Sequence, residues 1–157
     1  MSPPRLLPKV SRPEPSLKAR AIGFLARREH SRAELAHKLG PQAETREEVE
    51  TLLDELVKQG FLSDARYAEG VVRTRGGRFG SQRIAYELRQ KGVTESVVEK
   101  IAGQLKAADL QTARAAWQKK FGVLPSDGRQ KGKQVRFLQS RGFSMEVIDR
   151  VLRAIKD

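Results

Sequence analysis

With 157 residues, 38% of them hydrophobic and 32% charged, the chain has enough apolar material to fold but little for one large spherical core, so small units sharing their cores are expected. There is no cysteine, which excludes disulfide frameworks and thiolate metal sites and fits a reducing cytoplasm, and no apolar run is long enough to cross a bilayer. Lys and Arg number 31 against 19 Asp and Glu, and the formal net charge of +12 suits a polyanion or an acidic protein surface as partner.

Residues 1–15 carry five of the seven prolines, through which no helical period can run, and they read as a flexible arm. From Leu17 the pattern is helical. Leu17, Ala21, Phe24 and Leu25 share one helix face, a break follows near His30, and Ser31 with Glu34 has the spacing of a capping box ahead of Leu35 and Leu39. After Gly40-Pro41 the series Val49, Leu52, Leu53, Leu56 and Val57 fits an amphipathic helix that Gly60 closes. These three helices form a first unit over residues 16–60.

A second unit, residues 61–106, opens with Ser63 or Asp64 as N-cap and places Tyr67, Ala68, Val71 and Val72 on an inward stripe. A joint with Gly76, Gly77 and Gly80 leads to a helix bearing Ile84 and Leu88. Gly92 stops that helix, and Thr94 caps one with Val97, Val98, Ile101, Ala102 and Leu105 on its buried side. Residues 107–157 repeat the second unit at a shift of 50: Tyr67 falls on Trp117, Val71 on Phe121, Leu88 on Leu138, Gly92 on Gly142, Thr94 on Ser144, and Val97, Val98 and Ile101 on Val147, Ile148 and Val151. The expected fold is all-α, three tandem three-helix repeats in an elongated, curved arrangement, with no period-two strand pattern. Tyr67 and Trp117 read as packing anchors, with base stacking the lesser alternative.

No constellation demands chemistry. His30 and His37 lack a carboxylate set and read as surface or boundary residues, so no metal is expected. Gly132-Lys133 is followed by Gln134, which lacks the hydroxyl a phosphate loop needs, and the glycines at 76, 77 and 80 follow a helix where that motif requires a strand. No catalytic residue and no cofactor is expected. The basic clusters stand apart: Arg73, Arg75, Arg78 and Arg83 flank the glycine joint, Lys131, Lys133 and Arg136 stand at similar places one repeat later, and Arg27, Arg28 and Arg32 form a secondary cluster at a corner of the first unit.

The stretch Phe61-Leu-Ser-Asp-Ala-Arg-Tyr67-Ala68, then Val72-Arg73, Gly80, Arg83-Ile84, Glu87-Leu88 and Lys91-Gly92, resembles the central signature of the RecX family. Residues 136–152, from Arg136-Phe-Leu-Gln-Ser-Arg-Gly-Phe through Ile148 to Leu152, are similar to its closing motif, and the likeness runs over about residues 17–156. The chain departs from the pattern where Gly70-Val71 stands in place of a larger residue after the Tyr-Ala element, and in the paired glycines at 76 and 77. The resemblance implies a non-enzymatic regulator that lies in the groove of the RecA filament on DNA and inhibits ATP hydrolysis, strand exchange and coprotease action. On that reading Arg73, Arg75, Arg78, Arg83, Lys131, Lys133 and Arg136 face RecA acids or the enclosed DNA. Single- or double-stranded DNA is bound weakly and without sequence preference, and the protein is a cytoplasmic monomer without membrane contact. The competing reading is a stand-alone helix-turn-helix or winged-helix DNA binder, with residues 49–62 as a helix running into a wing.

Overall fold

The computed structural model describes residues 3–4 and 13–154, so most of the proline-rich arm and the last three residues lie outside the described part. Among the described residues there are nine α-helices, one 3-10 turn and no strand. They fall into three groups of three, each around its own core. The first comprises α1 (Leu17–Arg27), α2 (Arg32–Leu39) and α3 (Arg46–Lys58), closed around Leu35, Leu39, Leu53 and Leu56. In the second, α4 (Asp64–Arg75), α5 (Ser81–Gln90) and α6 (Glu95–Lys106) enclose Ala68, Ile84, Leu88 and Val98. In the third, α7 (Asp109–Lys120), α8 (Gly128–Ser140) and α9 (Met145–Ala154) enclose Trp117, Leu138, Phe143 and Ile148. The segment after Leu62 enters α4 at Asp64, so the hairpin that a wing requires is absent there.

Local chemistry starts most of these helices. The hydroxyls of Ser16, Ser31, Thr45, Ser63 and Ser144 and the carboxylate of Asp127 accept hydrogen bonds from backbone N–H groups three residues on, at 2.8–3.2 Å. Two expectations are corrected. Thr94 occupies the N-cap of α6, but its hydroxyl makes no capping bond; its own N–H donates to Asp64 Oδ2 at 3.1 Å. The capping box at Ser31 is half formed, because Glu34 is drawn away into an ion pair with Arg28.

The repeat shift also needs correcting. It holds for the second and third helices, where α5 and α8 end at Gln90 and Ser140 and α6 and α9 start at Glu95 and Met145. It fails for the first helices, which start at Asp64 and Asp109 and bury Ala68 and Ala113 completely, a shift of 45. A longer α7–α8 connection and a longer α8 absorb the difference. Trp117 is therefore the counterpart of Val72, not of Tyr67, and Phe121 that of Gly76, not of Val71.

The units are joined in series by one device used twice. At the first joint Ser31 Oγ donates to the carbonyl of Lys91 at 2.6 Å, and Asp64 of α4 accepts from the N–H of Arg32 in the first turn of α2 at 2.8 Å. At the second, Gly80 N–H donates to Arg141 O at 2.7 Å and Gln82 N–H to Gly142 O at 3.3 Å. There Asp109 of α7 takes both the N–H and the hydroxyl of Ser81 in the first turn of α5. In the first two units the second helix thus has its N-terminus covered by the following unit's interhelical turn and first-helix aspartate. The turn must come close and adopt a left-handed conformation, so it carries Gly92 (φ 71°) and Gly142 (φ 93°). A Cβ on Gly92 would fall on Ala33, and one on Gly142 on Arg83. Among the described residues no hydrogen bond or ion pair links the first unit to the third.

A cationic joint between the second and third units

The second joint gathers charge around one ring. Phe79 lies in the connection that the glycines at 76, 77 and 80 allow, and four guanidinium groups approach its centroid: Arg83 at 4.2 Å, Arg141 at 5.0 Å, Arg75 at 5.8 Å and Arg78 at 5.9 Å. The quadrupole of the ring holds cations over its face, which lets side chains of like charge collect without separate acids. Among the described residues the acid paired into this group is Glu87, 3.2 Å from Arg75. Backbone carbonyls fix two of the others, Arg83 on Ser140 O at 2.9 Å and Arg78 on Thr74 O at 3.1 Å. Arg141 also reaches the Phe137 ring, 5.2 Å away, which meets Phe121 edge-on with centroids 5.4 Å apart.

Beside this stack a cleft of about 350 Å³ runs along α7, lined by Gly77, Ala115, Ala116 and Phe137 and rimmed by Arg78, Lys119, Lys120 and Arg141. Lys119, Lys120 and Arg141 were not singled out from the sequence. Two basic residues at a helix end are favoured by the helix dipole alone, and Arg141 becomes notable only once Phe79 and Phe137 are seen on either side of it.

The structure brings Arg75, Arg78 and Arg83 together around Phe79, whereas Arg73 folds back along α4 over Gly70. The α8 residues diverge. Lys131 lines a cleft with Asp127, Asp149 and Arg153, and Lys133 one with Phe121, Val123 and Leu124, because two positions along a helix differ by about 200°. Arg136 lies over Gly132. At the secondary cluster, Arg28 binds both carboxylate oxygens of Glu34 at 2.9 and 3.1 Å, and Arg32 pairs with Glu50 at 2.8 Å and Asp54 at 2.7 Å. Hydrogen bonds donated to these acids push both guanidinium groups up, while burial raises the Glu34 carboxyl less than Arg28, His30 and Lys91 together lower it, leaving it below its usual range. Arg28 and Arg32 thus hold the first unit together, and Arg27 has no acid partner among the described residues.

His30 is corrected from a surface or boundary residue to a core one, 1% exposed. Its Nδ1 lies 3.0 Å from Arg28 O and its Nε2 2.7 Å from Lys38 Nζ. A lysine ammonium donates only, so Nε2 accepts and the ring is neutral with its proton on Nδ1. Among the described residues no group of His, Asp and Glu is placed to hold a metal ion, and no helix is long and apolar enough to cross a membrane.

Fold and joints together define a class: all-helical proteins of three-helix units connected in series, with a cationic joint. The family model described as "RecX, second three-helix domain" matches residues 63–100, and "RecX, third three-helix domain" matches residues 107–152. The chain belongs to the RecX family of regulatory proteins. It is 46% identical over 138 residues to "Regulatory protein RecX" of Ralstonia nicotianae, covering 88% of this chain and 87% of that one. To the protein of the same description from Leptothrix cholodnii it is 48% identical over 143 residues, covering 91% of each. A RecX crystal structure from Lactobacillus salivarius superposes with a TM-score of 0.72 at 20% identity, covering 89% of this chain and 94% of that one.

Proposed function

We propose that the chain binds the RecA nucleoprotein filament and inhibits its ATPase, strand-exchange and coprotease activities, acting as a cytoplasmic monomer that touches DNA weakly and without sequence preference. The observation that carries the proposal is the cationic joint. Four guanidinium groups crowd one ring with a single acid paired among them in the described residues, a surface whose field is left over for a partner. Membership of the RecX family supports RecA as that partner. Arg73, Lys133 and Arg136 lie outside the ring of Phe79, but each is exposed and has no acid paired to it among the described residues, and the proposal assigns them to the same partner.

The test is RecA-dependent ATP hydrolysis on single-stranded DNA, titrated with the protein. Wild type is expected to inhibit. Reversing Arg73, Arg78, Lys133 and Arg136 together to Glu is expected to raise the concentration for half-inhibition at least about tenfold, and to flatten its salt dependence because fewer counterions are released. Unchanged inhibition by a folded variant overturns the assignment of these residues, and absence of inhibition by wild type overturns the function.

A further inference from the structure

We infer that the cleft between α7 and the Phe79 joint is a docking site for an acidic peptide segment anchored by one large apolar side chain; the inference rests on the partner contact proposed above and names its chemistry. The floor is apolar, made by Gly77, Ala115, Ala116 and one side of Phe137, and the space of about 350 Å³ admits an aromatic or branched aliphatic side chain. The rim is cationic on every side that carries a charge: Arg78, Lys119, Lys120 and Arg141, none in an ion pair with an acid among the described residues. A cationic ring around an apolar floor is complementary to carboxylates flanking a hydrophobic anchor.

Nucleic acid fits the same cleft less well. Sequence-tolerant strand binding needs aromatic faces on which bases stack. Here Phe79 is covered by Arg83 and Arg141, and Phe137 is approached by Arg141, Lys120 at 5.8 Å and the edge-on ring of Phe121. An apolar floor adds nothing to a phosphate contact, whereas it adds affinity for a buried side chain.

The probes are two short fluorescein-labelled peptides rich in Asp and Glu, one with a central Phe and one with Ala in its place, and oligo-dT as competitor, all against the full chain. The Phe peptide is expected to bind about tenfold more tightly than the Ala peptide, the effect of burying an aromatic side chain. Ala115 is exposed on α7, so Ala115→Trp fills the cleft without touching a core or the charge. It is expected to abolish that tenfold difference and leave Ala-peptide binding as it was. Lys119→Glu with Lys120→Glu is expected to weaken both peptides. Equal binding of the two peptides to wild type overturns the inference, as does an undiminished preference in Ala115→Trp. Displacement of the Phe peptide by oligo-dT more effectively than by unlabelled Phe peptide reassigns the cleft to nucleic acid and also overturns it. RecA ATPase inhibition measured on the same preparations separates the two proposals: equal binding of the two peptides by a wild-type chain that still inhibits overturns the cleft inference alone.

Discussion

The indole of Trp117 is 3% exposed, and its Nε1–H donates to Gln134 Oε1 at 2.7 Å while Gln134 Nε2 donates to Val123 O at 3.0 Å. A buried ring with its polar atom already satisfied offers no face to a base, so Trp117 is a packing anchor, as its place among apolar neighbours in the sequence indicates. Trp117→Ala is expected to cost about 3–5 kcal/mol in chemical denaturation. Gln134→Ala, which strands the indole N–H and a carbonyl, is expected to cost about 1–3 kcal/mol. The glutamine was not legible beforehand: nothing in its neighbourhood distinguishes a buried polar bridge from a solvated position, and the partner lies 17 residues away. His30 was misplaced for the same reason, since its burial depends on Lys38 folding over it from α2. Burial holds His30 below its ordinary value, helped by Arg28 and Lys38, against the pull of the Arg28 carbonyl and Glu34. The folded state therefore prefers the neutral ring. Its contribution to stability is complete above the unfolded value near ~6.5 and is lost as pH falls through that value toward the folded one. Thermal melts between neutral and mildly acidic pH are expected to show this loss in wild type and in His37→Ala, and a His30 substitution to flatten it.

At the scale of the element, apolar spacing, hydroxyl caps and glycine stops located the helices of the first two units from signals local to the chain, whereas those of the third followed from the repeat shift, which holds for α8 and α9 and misplaces α7. Two helix starts depend instead on aspartates distant in sequence, one within the unit and one from the next. Thr94 surrenders its capping role where Asp64 takes its N–H, and α5, with Gly80 at its N-cap and no side-chain cap of its own, is finished by Asp109. Residues 30 and 28 positions away in sequence supply those bonds, and no periodicity announces them. Glycine at 92 and 142 was legible as a helix stop, but the close approach of the neighbouring unit to it was not. Gly142→Ala meets both a left-handed backbone and the Arg83 side chain, and is expected to lower stability by more than the about 1 kcal/mol of an ordinary glycine exchange. Hydrogen exchange should show the added opening at the amides of Gly80 and Gln82, which bond to the 141–142 turn.

Across the whole molecule, three small cores in series account for a modest hydrophobic fraction and a high charge, as composition suggested. Which basic residues would meet in space was only partly legible. Arg75, Arg78 and Arg83 converge because one aromatic ring sits among them, while Lys131 and Lys133 separate because they stand two positions apart on α8 and face different sides of it. Asp109→Asn keeps the side chain's size but removes the charge that faces the start of α5 and Ser81. It is expected to loosen the third unit from the second and to weaken RecA inhibition even though the residue is buried, because the cationic residues around Phe79 come from both units.

The relay of aspartates has a consequence for how the chain is made. As it leaves the ribosome, the second helix of each unit is exposed at its start until the opening residues of the following unit emerge, so maturation runs one module behind synthesis. The last module escapes this dependence because Asp127 closes α8 from within. A nascent chain halted after Lys106 would hold a completed first module and a second whose α5 is still frayed, awaiting the one carboxylate that has yet to be translated.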